Sequence, residues 1–285
     1  MQKILVQLDT DPHPSVFDRV VAIDAGVDQL FSYGGVKPEQ VRDLVHGAIF
    51  TRGPKDLKHT AIFIGGSDVA AGEKLLEEAR KHLLPQFKLS VSLMLDSNGS
   101  NTTAAAAVRA AARHLELART RAMVLGGTGP VGQRVALLLA RAGSHVRLGS
   151  RQLDRAAAAC ERIRQLVPTG QLEPTATAGG VGEAVKDREL VISAGAAGAV
   201  LLPRSERAAA TGLKVLIDLN AVPPLGIEGV EVMDKGKERD GQVCYGAIGV
   251  GETKMKVHKE AIRQLFEASD RVFDVEHIYS LAAGM

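Results

Sequence analysis

Gly127, Gly129 and Gly132 stand at the G-x-G-x-x-G spacing, with Thr128, Pro130 and Val131 filling the turn between them. In that pattern the first glycine (Gly127) allows a sharp reversal. The second (Gly129) lets backbone approach a pyrophosphate, and the third (Gly132) lets helix and strand pack closely. An apolar run, Met123 to Leu125, leads into the turn, and a helical pattern, Gln133 to Ala142, follows at once. Strand, turn and helix start in this order aim free N–H groups and a helix dipole at an anion. The predicted chemistry is capture of a dinucleotide pyrophosphate.

The next element selects the dinucleotide. Ser144 to Leu148 reads as a second strand that ends in Gly149-Ser150-Arg151, with Arg155 one helical turn later. An NAD site would place an Asp or Glu about 20 residues beyond the glycines to hold the ribose hydroxyls. A hydroxyl and guanidinium forks stand here instead, and they suit a 2′-phosphate through charge-assisted hydrogen bonds. The expected cofactor is NADP rather than NAD. As a plain surface pair, Arg151 and Arg155 would carry no such role.

Ala194 and Gly195 follow another apolar run, and Asp218-Leu219-Asn220 follows the next. Such sheet-edge loops meet the nicotinamide end of a dinucleotide, where Asn220 would bond the carboxamide. Ordinary turn chemistry is the alternative for Gly195 and Asn220. Asp96 to Thr103 is a polar block between an apolar run and a helix. Asp96, Asn98, Ser100, Thr102 and Thr103 offer donors and acceptors in one short arc as substrate contacts, though either threonine would also serve as a helix cap. Asp18, Asp24, Lys254 and Lys256 are charged candidates, which as a class are more often solvated faces. Lys254 would fix a substrate carbonyl or carboxylate. The histidines and cysteines show no ligand spacing, so no metal is expected. No G-x-S-x-G elbow is present, and neither cysteine has a catalytic context.

The elements that must position these residues alternate. Strands are expected at 3–8, 29–33, 60–64 and 90–95, with helices at 16–25, 38–46 and 69–84 between them and Ser15 capping the first. A helix at 104–115 leads to a boundary near 115–120. The second half continues with a helix at 152–166, strands near Thr175 and at 190–195, a helix near 204–211, and strands at 214–219 and 247–251. Helices at 253–268 and 274–283 close the chain. The fold class is α/β in two domains. Residues 1–117, completed by 253–285, form a mainly parallel substrate domain, and residues 118–252 form a Rossmann-type NADP-binding domain. Composition agrees: 45% hydrophobic and 24% charged residues describe a globular chain, and with only 4% aromatics its core must be aliphatic. A net charge of +2 gives no reason to expect nucleic acid or a membrane as partner. Two cysteines make no disulfide framework, and neither a signal peptide nor a membrane span is expected, so a cytoplasmic location is.

Taken together, several stretches make the chain resemble the NADP-dependent methylene-tetrahydromethanopterin dehydrogenases of methylotrophic bacteria. They are Asp9-Thr10-Asp11, Pro14 to Asp18, Tyr33-Gly34, Thr51-Arg52-Gly53, Leu95 to Thr103, Gly127 to Gly132, Asn220 to Ile227, Asp234 to Glu238, and Lys254. The resemblance implies NADP in the second domain, a pterin carrier in a cleft between two α/β domains, and a homo-oligomer with a trimer favoured. It implies hydride transfer from a methylene group bridging two nitrogens, leaving a methenyl cation. No proton moves in that step, which suits a sequence without an evident acid–base dyad. Asp18 and Asp96 would then contact the pterin, Asn98, Thr102 and Thr103 would line the cleft floor, and Lys254 would orient the substrate. Some relatives accept NAD as well; Ser150-Arg151 argues for NADP without excluding NAD.

Three other readings stay open on the residues alone. One is the same reaction on methylene-tetrahydrofolate. Another is a shikimate-type dehydrogenase, which needs a Lys–Asp pair for proton transfer, and no lysine adjoins the Asp96 block. The last is an NADP-binding regulatory protein without catalysis.

Overall fold

The computed structural model describes residues 1–285. Its first half runs β1 (Ile4–Asp9), α1 (Val16–Asp24), β2 (Gln29–Tyr33), α2 (Pro38–Ile49), β3 (Thr60–Gly65), α3 (Val69–His82), β4 (Ser92–Leu95) and α4 (Ser100–Ala112). Next come β5 (Arg121–Leu125), α5 (Pro130–Arg141), β6 (His145–Ser150), α6 (Leu153–Leu166), β7 (Gln171–Ala176), α7 (Gly182–Val185), β8 (Leu190–Ser193), α8 (Arg204–Ala209) and β9 (Val215–Asp218). The chain ends with β10 (Lys235–Arg239), β11 (Gln242–Tyr245), α9 (Ala247–Gln264), β12 (Val272–Phe273) and α10 (Val275–Ala283). Two compact units result: residues 1–102 with 255–285, and residues 103–254. No helix is long and apolar enough to cross a membrane.

The first unit holds a parallel sheet in the order β12-β4-β3-β1-β2. Its strands are near-continuous apolar runs because helices cover parallel strands on both faces. Val6, Leu8, Ile62, Ile64, Leu93 and Leu95 pack with Val41, Val45 and Ile49 of α2 and Leu75, Leu76 and Ala79 of α3. Strand order reverses between β1 and β3, so the crevice of this sheet opens where Asp9 pairs with Gly65. Ser15 caps α1 as expected, its hydroxyl accepting the Asp18 N–H at 3.2 Å. The edge strand β2 exposes Phe31 and Tyr33, and α1 exposes Val16, Val20 and Ile23 along one stripe.

The second unit is a sheet in the order β10-β11-β9-β8-β5-β6-β7, parallel except for β10. The order reverses between β5 and β8, the doubly wound arrangement that the glycine turn requires. Met123, Leu125, Val191 and Leu216 form its core with Val185, Leu202 and Ile227.

One sequence expectation is corrected here. Ala247–Gly251, expected as the last strand, forms the first turns of α9. Gly249 and Gly246 are small because the helix start crosses other backbone: a Cβ on Gly249 would strike the Asp234 carbonyl, and one on Gly246 the Glu231 carbonyl. The sixth parallel position belongs to β11, joined to β10 by Asp240-Gly241, both at positive φ (51° and 76°). An Asp-Gly pair at these angles is a two-residue hairpin turn, a signal present in the sequence.

The amino ends of this sheet carry a crowded charge cluster. Arg188, 2% exposed, donates toward His145 Nδ1 at 3.4 Å, with Arg147 and Arg121 near it. Burial first and Arg188 second hold the His145 imidazole below its ordinary value. Below pH about 6.5 the unfolded chain then binds more protons than the folded one, so stability rises with pH through that window and is lost on acidification. Urea unfolding at about pH 5 and about pH 7.5 should show a lower midpoint at acid pH in wild type and a smaller gap in His145→Gln. An identical gap in both contradicts the assignment.

Candidate active site

At the β5–α5 turn the sharpest backbone belongs to Gly126, not Gly127. Gly126 has φ +67°, and a Cβ there would run into the Gly195 backbone. Gly127 needs no positive φ; a side chain on it would meet Leu148 Cγ at 2.5 Å. Gly132 matches its expected part, since its Cβ would lie 2.5 Å from the Gly126 carbonyl. Gly129 differs from all of these. A Cβ on it would find only ordinary contacts, Gly126 O at 3.4 Å and Ala194 O at 3.7 Å. Gly129 is the N-cap of α5, with Pro130 at its first turn. The protein's own packing therefore does not require glycine at this position, directly before a helix amino end of the kind that binds a pyrophosphate. Thr128 is fixed from behind, its carbonyl accepting Gln133 Nε2 at 2.8 Å.

The adenosine end is built by β6 and α6. Ser150 closes β6, and its hydroxyl oxygen accepts the Gln152 N–H at 3.3 Å, which leaves the hydroxyl proton available to an anion. Arg151 and Arg155 are both exposed beside it, Arg155 within α6. At the other end, Ala194 and Gly195 follow β8 against the Gly126 turn, and the Ala194 N–H reaches Leu125 O at 2.9 Å. Asn220, expected to bond the carboxamide, has partners within its own loop. Its Nδ2 donates to Pro224 O at 3.3 Å and its Oδ1 accepts the Val222 N–H at 3.0 Å, so its side chain shapes its own loop. Asp218, 1% exposed, ties that loop down by accepting the N–H groups of Ile227 (2.8 Å) and Asn220 (3.1 Å). Burial pushes the Asp218 carboxyl above its usual range, against these donors and the Ser193 hydroxyl.

The first unit gathers carboxylates at the carboxyl ends of its strands. Asp9, fully buried, accepts the N–H groups of Asp11 (2.9 Å) and Ser15 (3.1 Å), which folds the loop onto α1. Asp18 lies half-buried in the first turn of α1, with Oδ2 3.7 Å from where a Gly65 Cβ would stand. It faces the β1/β3 crevice. Asp96 is the other acid expected to contact the pterin. It is fully buried, with Oδ1 accepting the N–H groups of Asn101 (2.9 Å) and Thr102 (3.0 Å) and Oδ2 accepting the Thr102 hydroxyl at 2.6 Å. A carboxylate so placed satisfies orphan donors at the start of α4. Ser100, also buried, spends its hydroxyl on Ser97 O at 2.7 Å. Of the block, Asn98 is exposed, held at φ 55° with its N–H on Gly66 O at 2.7 Å, and Thr103 is half-buried. Lys254 is half-buried on α9 and is the last residue of the second unit.

Comparison with known proteins decides the family. The sequence profile described as "Methylene-tetrahydromethanopterin dehydrogenase, N-terminal" matches residues 16–98. The "Bifunctional protein MdtA" of Methylorubrum extorquens is 46% identical, covering 100% of this chain and 99% of its own length. The "NAD(P)-dependent methylenetetrahydromethanopterin dehydrogenase" of the same organism is 32% identical over 99% of this chain and 98% of its own. The chain belongs to the methylene-tetrahydromethanopterin dehydrogenase family. Its fold is shared more widely than this family. Quinate dehydrogenase from Corynebacterium glutamicum superposes with a TM-score of 0.52 at 12% identity, covering 100% of this chain and 99% of that one. Shikimate dehydrogenase from Aquifex aeolicus gives 0.52 at 14% identity, covering 99% and 96%. At such identities only the architecture is common.

Sequence reasoning passed over one buried group in this family member. His258, fully buried on α9, has Nδ1 3.7 Å from Asp96 Oδ2 and stacks on Phe63 at 5.8 Å. It lies far in sequence from both neighbours, so only its helical distance of one turn from Lys254 pointed to it.

The Ser150–Arg151–Arg155 arrangement predicts a specificity effect. Arg151→Ala should weaken NADP binding about tenfold or more, the worth of one charge-assisted contact, and leave NAD binding unchanged. Dissociation constants for both dinucleotides check this; an unaltered NADP/NAD ratio contradicts it.

Proposed function

We propose that the protein oxidises the methylene group of methylene-tetrahydromethanopterin to the methenyl form, with NADP as the acceptor. The observation that carries this reading is the end-to-end likeness to the two Methylorubrum extorquens relatives. The glycine turn at the amino end of α5 supports it independently, because the residues present fit a dinucleotide. Gly129 and the amino end of α5 would hold the pyrophosphate, and Ser150, Arg151 and Arg155 the 2′-phosphate. Ala194, Gly195 and the Asn220 loop would border the nicotinamide ribose.

Bound NADP supplies a two-electron acceptor for the hydride that leaves the carrier's methylene carbon. The carrier becomes an amidinium-like cation shared by two nitrogens, and no proton leaves it. The protein needs no general acid or base for that step. What its own groups contribute is orientation and electrostatics. Asp18, at the crevice of the first sheet, would oppose the positive charge that develops on the carrier. Asn98 and Thr103 would bond the carrier's polar edge, and Lys254 would hold a carbonyl or carboxylate of its arm. Asp96, Ser100 and Thr102 act one step back, by fixing the start of α4. The uncharged edge strand β2 and the apolar stripe of α1 support self-association, since a bare edge of this kind invites a second copy.

The test is absorbance at 340 nm with NADP and, separately, methylene-tetrahydromethanopterin or methylene-tetrahydrofolate. Turnover of the first carrier is expected, as is a sedimentation mass above the 30.1 kDa of one chain. Lys254→Ala and Asp18→Ala should each lower kcat/KM at least about tenfold at saturating NADP. Turnover of the folate alone changes the substrate; no turnover with either carrier supports the regulatory reading. Wild-type kcat/KM in both variants removes the roles given to these residues.

A further inference from the structure

Ser193 ends β8, Asp218 ends β9, and the two stand side by side in the parallel ladder. Neighbours in such a register share one face of the sheet, so a hydroxyl and a carboxyl meet at the carboxyl ends of adjacent strands. Both residues are 1% exposed. Four donors converge on the Asp218 carboxylate. Its Oδ2 accepts the Ile227 N–H at 2.8 Å and its Oδ1 the Asn220 N–H at 3.1 Å, and the Gly226 N–H and the Ser193 hydroxyl complete the set. The Ser193 hydroxyl has no other partner.

Two loops join at Gly226. A Cβ on it would strike Ser193 Oγ and stand 2.9 Å from Asp218 Oδ1, so the backbone lies directly on the buried pair. Its carbonyl accepts the N–H groups of Leu201 (2.8 Å) and Leu202 (2.9 Å), which belong to the loop after β8. Leu202 also bridges Ile227 in parallel. Leu201 fills the space where Gly195 would carry a Cβ, and the Gly195 backbone closes on Gly126 at the glycine turn. One carboxylate thus anchors residues 219–227 directly and residues 194–202 through Gly226.

We infer that Asp218 is the positioning residue for the nicotinamide half of the dinucleotide, because it sets the two loops that border that half against each other. This rests on the dinucleotide reading made above and adds to it the group that fixes both loops. A carboxylate offers acceptors only, so each of the four donors finds a lone pair on it. An amide in its place would turn N–H groups toward N–H groups and leave buried donors unsatisfied. The adenosine end depends on other elements, Ser150 at the end of β6 and the arginines at 151 and 155, so loosening the two loops weakens one half of the cofactor and spares the other. Hydride transfer depends on where the nicotinamide ring is held, so the same loosening slows turnover.

The experiment titrates NADPH and adenosine 2′,5′-bisphosphate separately into wild type, Asp218→Asn and Ser193→Ala, with thermal unfolding to show that each variant is folded. The bisphosphate carries the 2′-phosphate but no nicotinamide. Asp218→Asn should weaken NADPH about tenfold, leave the bisphosphate at wild-type affinity, and lower kcat at saturating NADP at least about tenfold. Ser193→Ala removes one donor of the four and should show the same split at about threefold; it carries the test if the asparagine variant does not fold. Equal weakening of both ligands, or wild-type NADPH affinity in the folded variants, overturns the positioning role while leaving the dinucleotide reading intact. A wild-type protein that binds neither ligand overturns both.

Discussion

Two backbones meet without side chains where β5 and β8 end, and the second unit's site depends on that approach. Gly126 at φ +67° turns the chain against Gly195, and Gly132 brings α5 down onto the same turn. Only a chain free of Cβ atoms at all three positions can bring a helix amino end so close to the switch point of the sheet. Gly129 then caps α5 without crowding its neighbours. Tight packing at three glycines and ordinary contacts at the fourth are two results of one glycine pattern. The apolar strands and the aliphatic packing of α5 supply the rigidity that keeps it so.

The first unit solves a similar problem with carboxylates. Asp9 and Asp96 are both fully buried, and each gathers backbone N–H groups from a loop that would otherwise be loose. A buried carboxylate is costly unless it is saturated with donors, so each loop is locked in the conformation that supplies them. Asp18 follows one of these loops in the first turn of α1, half-buried, and Asn98 is exposed on the other. The acids that organise this end and the half-buried Asp18 of α1 therefore sit in different surroundings, although they look alike in sequence.

That distinction marks the limit of what the chain reveals by inspection. The strand–turn–helix at Gly127 to Gly132 was legible because its determinants are adjacent in sequence, and so was the Ser150-Arg151 strand end. The parallel α/β class followed from alternating apolar runs. Which glycine of Gly126-Gly127 takes positive φ was not legible, since the decision lies with Gly195 and Leu148 across the sheet. The burial of Asp96, Ser100 and Thr102 was hidden for the same reason: a polar block reads as exposed until helices cover it. Ala247–Gly251 misled because glycines after an apolar run suggest a strand end, whereas here they permit α9 to cross the Asp234 backbone. The β10–β11 hairpin was masked by its charged Lys-Gly-Lys-Glu-Arg strand, although Asp240-Gly241 announced the turn. The His258–Phe63 stack joins residues remote in sequence and had no local signal.

The central claim is that a dinucleotide pyrophosphate rests on the amino end of α5 at Gly129. A Gly129→Ala variant tests it most directly, because the added methyl makes only ordinary contacts within the protein and would stand where the backbone has to approach the pyrophosphate. Fluorescence titration with NADPH, alongside thermal unfolding, is the measurement. The account predicts an unfolding midpoint close to wild type with an affinity weakened at least about tenfold. Wild-type NADPH affinity in a folded Gly129→Ala protein would contradict it.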